Sequence, residues 1–473
     1  VVISDTTQLL GAATDMYGKF KIENVSLGRH QVRVTYLGYN PQVLTVVVNS
    51  GKEVILNVPI EESSVLMDEV VIESSNGRDV KNEMAVVSAQ VFSVEETERY
   101  AGSRGDPARM ASNFAGVSGS DDSRNDIVIR GNSPLGVLYR VEGIDIPNPN
   151  HFSVSGSTGG PTSILNNKIL ANSDFFTGAF PSEFGNSTAG VFDLSLRSGN
   201  SEKYEFTGQL GLFGTELLAE GPISKKNGSS FLVMYRYSTL VFFGKLGIDL
   251  GTDAIPYYQD LNFKLNFPLK KGGKVSLWAM SGLSNIDILI SEQKNINELE
   301  TFGVNDKDQH FGTGMGVGGI TYSKPLNEKT YIKSTLALSR EQQKSHHELI
   351  YRVADPETGD FRLDSVTDFM RFTFNTTKFT SSTYVNSKIG KKGVLKAGYN
   401  ADLYVGSYHD SIIDTTSNVW NKRWDSEETF ALIQPYVSYK YKVKENLVFT
   451  GGLHYSYFTM NNTASGVEPR LGM

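Results

Sequence analysis

The residues that could do chemistry come first. Asp121, Asp122 and Asp126 could offer carboxylate oxygens to a hard cation, but the run lacks the glycine and closing glutamate of a calcium loop. His346 and His347 are adjacent, so on a strand their rings point to opposite faces and cannot share an ion. Cysteine is absent, which removes thiol chemistry and Cys-based zinc sites, and no GxSxG, GxxxxGK[ST] or HExxH run occurs. The expectation is therefore no catalytic residue, no metal, no cofactor and no enzyme. What remains is main-chain chemistry: Asp68-Glu69-Val70-Val71-Ile72 is short, apolar and β-prone, and such a segment can add as a strand to a partner's sheet edge. These residues alone equally allow an edge strand of the preceding domain, or a plain linker. His151 and Phe152 with Asn148, around Pro147 and Pro149, offer aromatic and polar contacts to a small ligand, or simply a turn.

The elements that must position these residues read as mainly β. The 473 residues are 39% hydrophobic with a net charge of −7, enough for several domains. Lys and Arg are scattered singly or in turn pairs, so nothing points to nucleic acid. No run approaches the roughly 18–20 apolar residues of a membrane helix, so any crossing is made by strands. Residues 20–22, 31–36, 43–48 and 53–58 read as short strands between Gly, Asn and Ser turns, a small β-sandwich over 1–62. A linker, 63–84, leads to a glycine-rich mixed α/β segment, 85–199, with two short helices over 94–114, the first opening at Ser93, and strands at 127–129, 137–141 and 191–196. From about 200 to 473, runs of about ten residues alternate in polarity, clearest at 260–267, 395–405 and 447–457. Short turns such as Lys225-Lys226-Asn227-Gly228 alternate with long polar stretches at 285–309, 346–368 and 410–427, and tyrosines gather near strand ends. A soluble sandwich would show the same alternation with its apolar face inward.

The pattern TDMYGKFKIENVSLGRHQVRVTYLGY, residues 14–39, closely resembles the carboxypeptidase regulatory-like domain found at the front of many Bacteroidetes receptors; His30 stands where that family usually has an aromatic, and its first strand is missing before Val1. Arg130-Gly131 followed by Glu142-Gly143-Ile144, with the later GAFPSEFGN and AGVFDL runs, resembles the plug core of TonB-dependent outer-membrane receptors, and EPRLG, residues 468–472, resembles a run within their barrels. The resemblance implies that Asp68, Glu69, Val70, Val71 and Ile72 are the TonB box, with TonB and its inner-membrane motor proteins as partners. It also implies a plug whose charges Arg130, Arg140, Glu142, Glu183 and Arg197 pair with the lumen through hydrated contacts that yield to a pull. The remainder is the N-terminal half of a large transmembrane antiparallel β-barrel in outer-membrane lipid, about eleven strands where such transporters have roughly 22. Since an open half-barrel leaves unpaired backbone in lipid, the segment is expected to belong to a larger chain or to be completed by another. The implied function is TonB-dependent import of an unidentified small extracellular ligand, with the N-terminal domain in the periplasm; a lipoprotein lid over the outer face stays open. The alternative is a surface adhesin or scaffold anchored by its barrel.

Overall fold

The computed structural model describes all residues except 5–8, 16–17, 37–38, 40–41, 49–52, 57, 59, 61–81, 86–87, 93–96, 98–100, 120, 212–213, 240–255, 271, 294–303, 415 and 445–446. Asp68–Ile72 and the helix start expected at Ser93 therefore lie outside the described residues.

The first domain builds a four-stranded sheet in the order Leu9–Gly11, Val2–Ser4, Gly28–Val34, Gln42–Val48. Alternation in Gly28–Val34 buries His30, Val32 and Val34, and Ile3 and Val46 complete the core. The stretches expected as strands at 20–22 and 53–58 are not strands among their described residues; Ile22, Leu56 and Val58 instead pack their side chains against that core.

The plug follows. Its five-stranded sheet runs Ala89–Phe92, Ser173–Phe176, Gly190–Leu194, Val137–Val141, Ile144–Asp145, with Gly190–Leu194 parallel to Val137–Val141. Phe175 and Phe192 are fully buried at its centre, ring centroids 4.5 Å apart. A short helix, Pro107–Ala111, starts on Asp106, whose carboxylate accepts the Ala108 N–H at 2.8 Å.

From Glu205–Leu210 to Thr463–Gly472 one 12-stranded sheet curls around the plug, each strand antiparallel to the next. Which face is apolar decides between soluble sandwich and membrane barrel. In Tyr257–Pro268, Leu261 on the outer face is 45% exposed whereas Lys264 on the inner face is 3% exposed. The same holds around the sheet: Ile320, Leu336, Phe379, Leu403 and Ile433 are exposed outside, and Asn262, Ser276, Thr335, Asn400 and Gln434 are buried inside. Apolar-out and polar-in is the arrangement lipid requires and water forbids.

Two stretches expected as long loops, 346–368 and 410–427, are largely strand; in the third, 285–309, residues 294–303 lie outside the described residues. Thr330–Ala354 and Phe361–Ile389 pair from Thr330↔Ser387 up to Ala354↔Phe361 and are joined by a tight turn in which the Gly359 N–H donates to the Asp355 carbonyl. At 25 and 29 residues they far exceed the about 10 a crossing needs, so the hairpin stands up beyond the membrane. Polar side chains on both faces misled the reading by polarity alone, since a ladder standing in water needs no apolar face.

Candidate functional site

Two tight turns set the plug's geometry. Arg130-Gly131 links Ile129 to Asn132 with φ of 50° and 79°, and Glu142-Gly143 links Val141 to Ile144 with φ of 52° and 92°. Two successive left-handed residues suit a two-residue hairpin turn, and glycine takes one position at no steric cost. Glu142 takes the other at a cost of about 1 kcal/mol.

Its contacts offset that cost. The Glu142 carboxylate, buried with the whole side chain, accepts from Lys264 Nζ at 2.7 Å and from the Leu196 N–H at 3.0 Å, with Lys333 Nζ at 4.0 Å. Lys264 also donates to the Leu196 carbonyl at 2.7 Å, and Thr335 Oγ1 donates to the Glu142 carbonyl at 3.2 Å. Burial alone would raise the carboxyl's pKa, but the two lysines outweigh it and hold Glu142 well below the usual carboxylate range. One plug carboxylate thus ties two barrel strands to the plug.

Glu183 ties the plug to one further strand, Gly393–Asp414. It accepts from Lys396 Nζ at 2.6 Å and from Asn82 Nδ2 at 2.7 Å, and its carbonyl takes Asn400 Nδ2 at 3.1 Å. Arg140 donates to Asn400 Oδ1 at 3.0 Å and to the Gly143 carbonyl at 2.8 Å. Arg197 grips the fully buried Glu220 through two bonds of 2.6 and 2.7 Å. Arg130 remains within the plug, donating to Ser88 and Thr177. The expected pairing with lumen charges therefore holds for Glu142, Glu183 and Arg197.

The expected hydration does not hold for Glu142 and Glu183, which are buried, while the Arg197 side chain stays 22% exposed. The plug also shares an apolar cluster with the wall: Val141, Ile144, Ile164 and Leu194 of the plug with Leu232, Met234, Trp278, Met280 and Val317 of the barrel. The physical reason is fit. Small wall residues let the plug approach, as at Gly282, where an added Cβ would lie 2.6 Å from Ile164 Cδ1.

The residues singled out for ligand contact separate. His151 is 1% exposed and bonds through Nε2 to Asp260, itself paired with Arg236, while its ring packs 4.7 Å from Tyr258. Phe152 is buried, and its N–H donates to Ser284 and Thr313 hydroxyls at 3.1 Å each. Both therefore face the barrel wall. Asn148 is half-buried, donates to the Ser157 and Gly159 carbonyls at 3.0 and 3.1 Å, and lines a cavity of about 240 Å³ with Tyr139, Ser155, Glu341 and Gln343. Lys264, Lys396, Glu220, Asp260 and Arg470 were not foreseen as site residues. The available signal was a charge in the polar phase of an alternating strand, as at Lys264. Arg470, in the EPRLG run, donates to the carbonyls of Pro181 at 2.8 Å and Phe184 at 2.6 Å.

Known proteins resemble this arrangement. The CarboxypepD_reg-like domain family matches residues 1–72. Curated proteins give no match. Among solved structures, the outer membrane transporter YddB from Escherichia coli is similar over 81% of this chain and 58% of its own, at 12% identity and a TM-score of 0.55. FpvA of Pseudomonas aeruginosa, solved bound to pyoverdines, is similar over 81% and 53% at 13% identity and 0.55. The copper transporter OprC is similar over 82% and 59% at 11% identity and 0.52. The chain thus spans less than two thirds of each of these proteins. Behind a CarboxypepD_reg-like domain, it has the plug-and-barrel fold of TonB-dependent outer-membrane receptors.

Proposed function

We propose that this chain is the front part of an outer-membrane importer whose plug is displaced by a pull from the periplasm, with TonB as the partner that pulls. The observation that carries the reading is the filled lumen: Glu142, Glu183 and Arg197 bind the plug to Lys264, Lys396 and Glu220 on separate strands, so the plug must shift before a solute can pass. Breaking buried ion pairs needs energy, and a partner acting through residues 68–72 would supply it. Asp68, Glu69, Val70, Val71 and Ile72 are proposed as the TonB-binding strand, with the first domain on the periplasmic side and further strands closing the barrel in lipid. A small ligand would enter from outside onto the plug's upper loops, where Asn148 lines the cavity beside Ser155 and Glu341. Outer-membrane and copper transport by the similar proteins supports import as the general class without naming this ligand.

The test is binding of the TonB periplasmic C-terminal domain to a peptide of residues 64–76, with Val70→Pro as control, alongside ligand uptake by a strain lacking residues 68–72. Saturable binding lost with proline, which removes a backbone donor, supports the reading. A peptide that stays unbound where a known box peptide binds, with uptake unchanged by the deletion, would overturn it and leave the barrel as an anchor for an adhesin.

A further inference from the structure

On the outside of the barrel, beyond the membrane, the long hairpins bring together imidazoles and carboxylates that lie far apart in sequence. Thr335 faces the plug, so the even-numbered residues of Thr330–Ala354, His346 and Glu348 among them, face outward. Cross-strand pairing sets His310 opposite His346, Asp287 opposite His310, and Asp368 opposite Glu348. His346 lies about 16 residues on from Thr330, roughly 37 Å up a strand tilted by about 45°, above a hydrocarbon band of about 30 Å.

We propose that His346, Glu348 and Asp368, with His310 as the fourth ligand, form a site for a borderline divalent cation such as Zn²⁺ that staples three extracellular strands together. One donor atom from each of His346, Glu348 and Asp368 lies within 4.8 Å of the others. His346 Nε2 is 2.8 Å from Asp368 Oδ1, and His310 Nε2 is 3.4 Å from Glu348 Oε2. A tetrahedral ion with bonds of about 2.0–2.2 Å needs donors about 3.4 Å apart, so small side-chain rotations suffice for the three, and His310, outside that group but beside Glu348, must turn further. The two imidazoles are already near-parallel, their centroids 6.0 Å apart.

Two further observations point to a cation. His310 Nδ1 is 2.7 Å from Asp287 Oδ1; the tautomer that donates there leaves the Nε2 lone pair facing Glu348, the carboxylate–histidine–metal relay that orients ligating imidazoles. Three carboxylates also converge with only imidazole as their ion-pair partner among the described residues. Arg371, opposite His346 in register, carries its guanidinium 4.3 Å over the Trp420 ring. Two nitrogens and two oxygens favour Zn²⁺ over Ca²⁺ or Mg²⁺, which take oxygen alone. The adjacent His347 turns the other way, to Ser345 Oγ at 2.8 Å, so the second ring comes from the neighbouring strand.

The experiment is titration of the full-length protein, purified in detergent and stripped of metal, with Zn²⁺ alone. One ion per chain bound at this site is expected, weakened about a hundredfold by His346→Ala and about ten- to a hundredfold by Asp287→Asn, which leaves all four ligands in place. Heat-modifiable gel migration reports that each variant keeps its barrel. X-ray absorption on the unaltered protein needs no variant and should show two imidazoles in an all-N/O shell. Zn²⁺ binding unmoved by His346→Ala and His310→Ala, no saturable binding, or a shell without imidazole would each overturn the proposal. No step depends on TonB or on import, so the two readings fail separately.

Discussion

Lys264→Met tests the reasoning about the plug most sharply, because it keeps the length of the side chain and removes only the charge and its two bonds. Taking one partner from a buried ion pair costs about 3–5 kcal/mol, chiefly because the other charge stays buried without it. Glu142 retains the Leu196 N–H at 3.0 Å and Lys333 at 4.0 Å, which places the expected cost near the lower end, about 3 kcal/mol. At about 1.4 kcal/mol per decade, local opening of the plug should become more frequent by about 150-fold. Amide hydrogen exchange of peptides covering Val137–Val141 and Gly190–Leu194 in the full-length protein reads this opening directly. The double variant Glu142→Gln/Lys264→Met leaves no naked charge and should recover much of the protection. Exchange within about threefold of the parent, about 0.7 kcal/mol, while the barrel remains folded, would show that the pair contributes little and would refute the argument.

Four further outcomes are expected. Glu142 is a plug carboxylate held below its ordinary range, so its contribution is fully present above the unfolded-state pKa of about 4.3 and fades as pH falls toward the lower folded value. Plug protection should therefore be flat from about pH 7 to 5 and drop below about 4, less so in Glu142→Gln, whatever the other carboxylates add. Gly190→Ala should destabilise the plug by about 1–3 kcal/mol, since the new Cβ would lie 2.3 Å from Ile129 Cδ1 and 2.9 Å from the Phe176 carbonyl; limited proteolysis of the plug reads it. Arg470→Ala frees the carbonyls of Pro181 and Phe184 and should raise exchange around residues 180–186 by about 1.5–3 kcal/mol. Leu336→Arg, exposed on the outer face near the middle of its crossing, should cost about 2–4 kcal/mol in urea unfolding from lipid vesicles; a cost within about 0.5 kcal/mol would mean that this face meets water.

How much of this was legible depends on the range of the signal. Alternation at 260–267 and 395–405 marks strands because side chains change face at every residue, and both stretches fall inside single strands, Tyr257–Pro268 and Gly393–Asp414. The turn residues Arg130-Gly131 and Glu142-Gly143 stand out through the resemblance to a plug core and not through alternation. Which face of the sheet meets the plug was not: Lys264 sits in the polar phase of its strand, but its partner lies 122 residues earlier and no local pattern records that distance. Phe20–Ile22 failed as a strand because apolar residues packed across a sheet look the same in sequence as residues within one. His151 carried the signature of an exposed polar aromatic, and only the fold reveals Asp260 waiting in the wall.

The wall holds the plug by two kinds of contact, and their difference bears on how it could be released. Around Leu232, Trp278, Met280 and Val317 the contact is mixed: apolar surface, whose strength follows buried area, stands beside the ion pairs of Glu220, Asp260 and Lys264. Toward Lys396, Asn400, Lys440 and His454 it is made of directed bonds, each weakened steeply by small misalignments. The chain enters the plug on this second side: the Glu83 carbonyl accepts from Lys440 Nζ at 2.6 Å, the Glu83 carboxylate accepts from Asn386 Nδ2 at 2.7 Å, and Asn82 donates to Glu183 beside Lys396. On the import reading, a pull from residues 68–72 would reach the bonds of Asn82 and Glu83 first, in sequence and not all at once. The passage would then open along the strands carrying Lys396 and Lys440, with the bond of Asn82 to Glu183 giving way before that of Lys396 to Glu183.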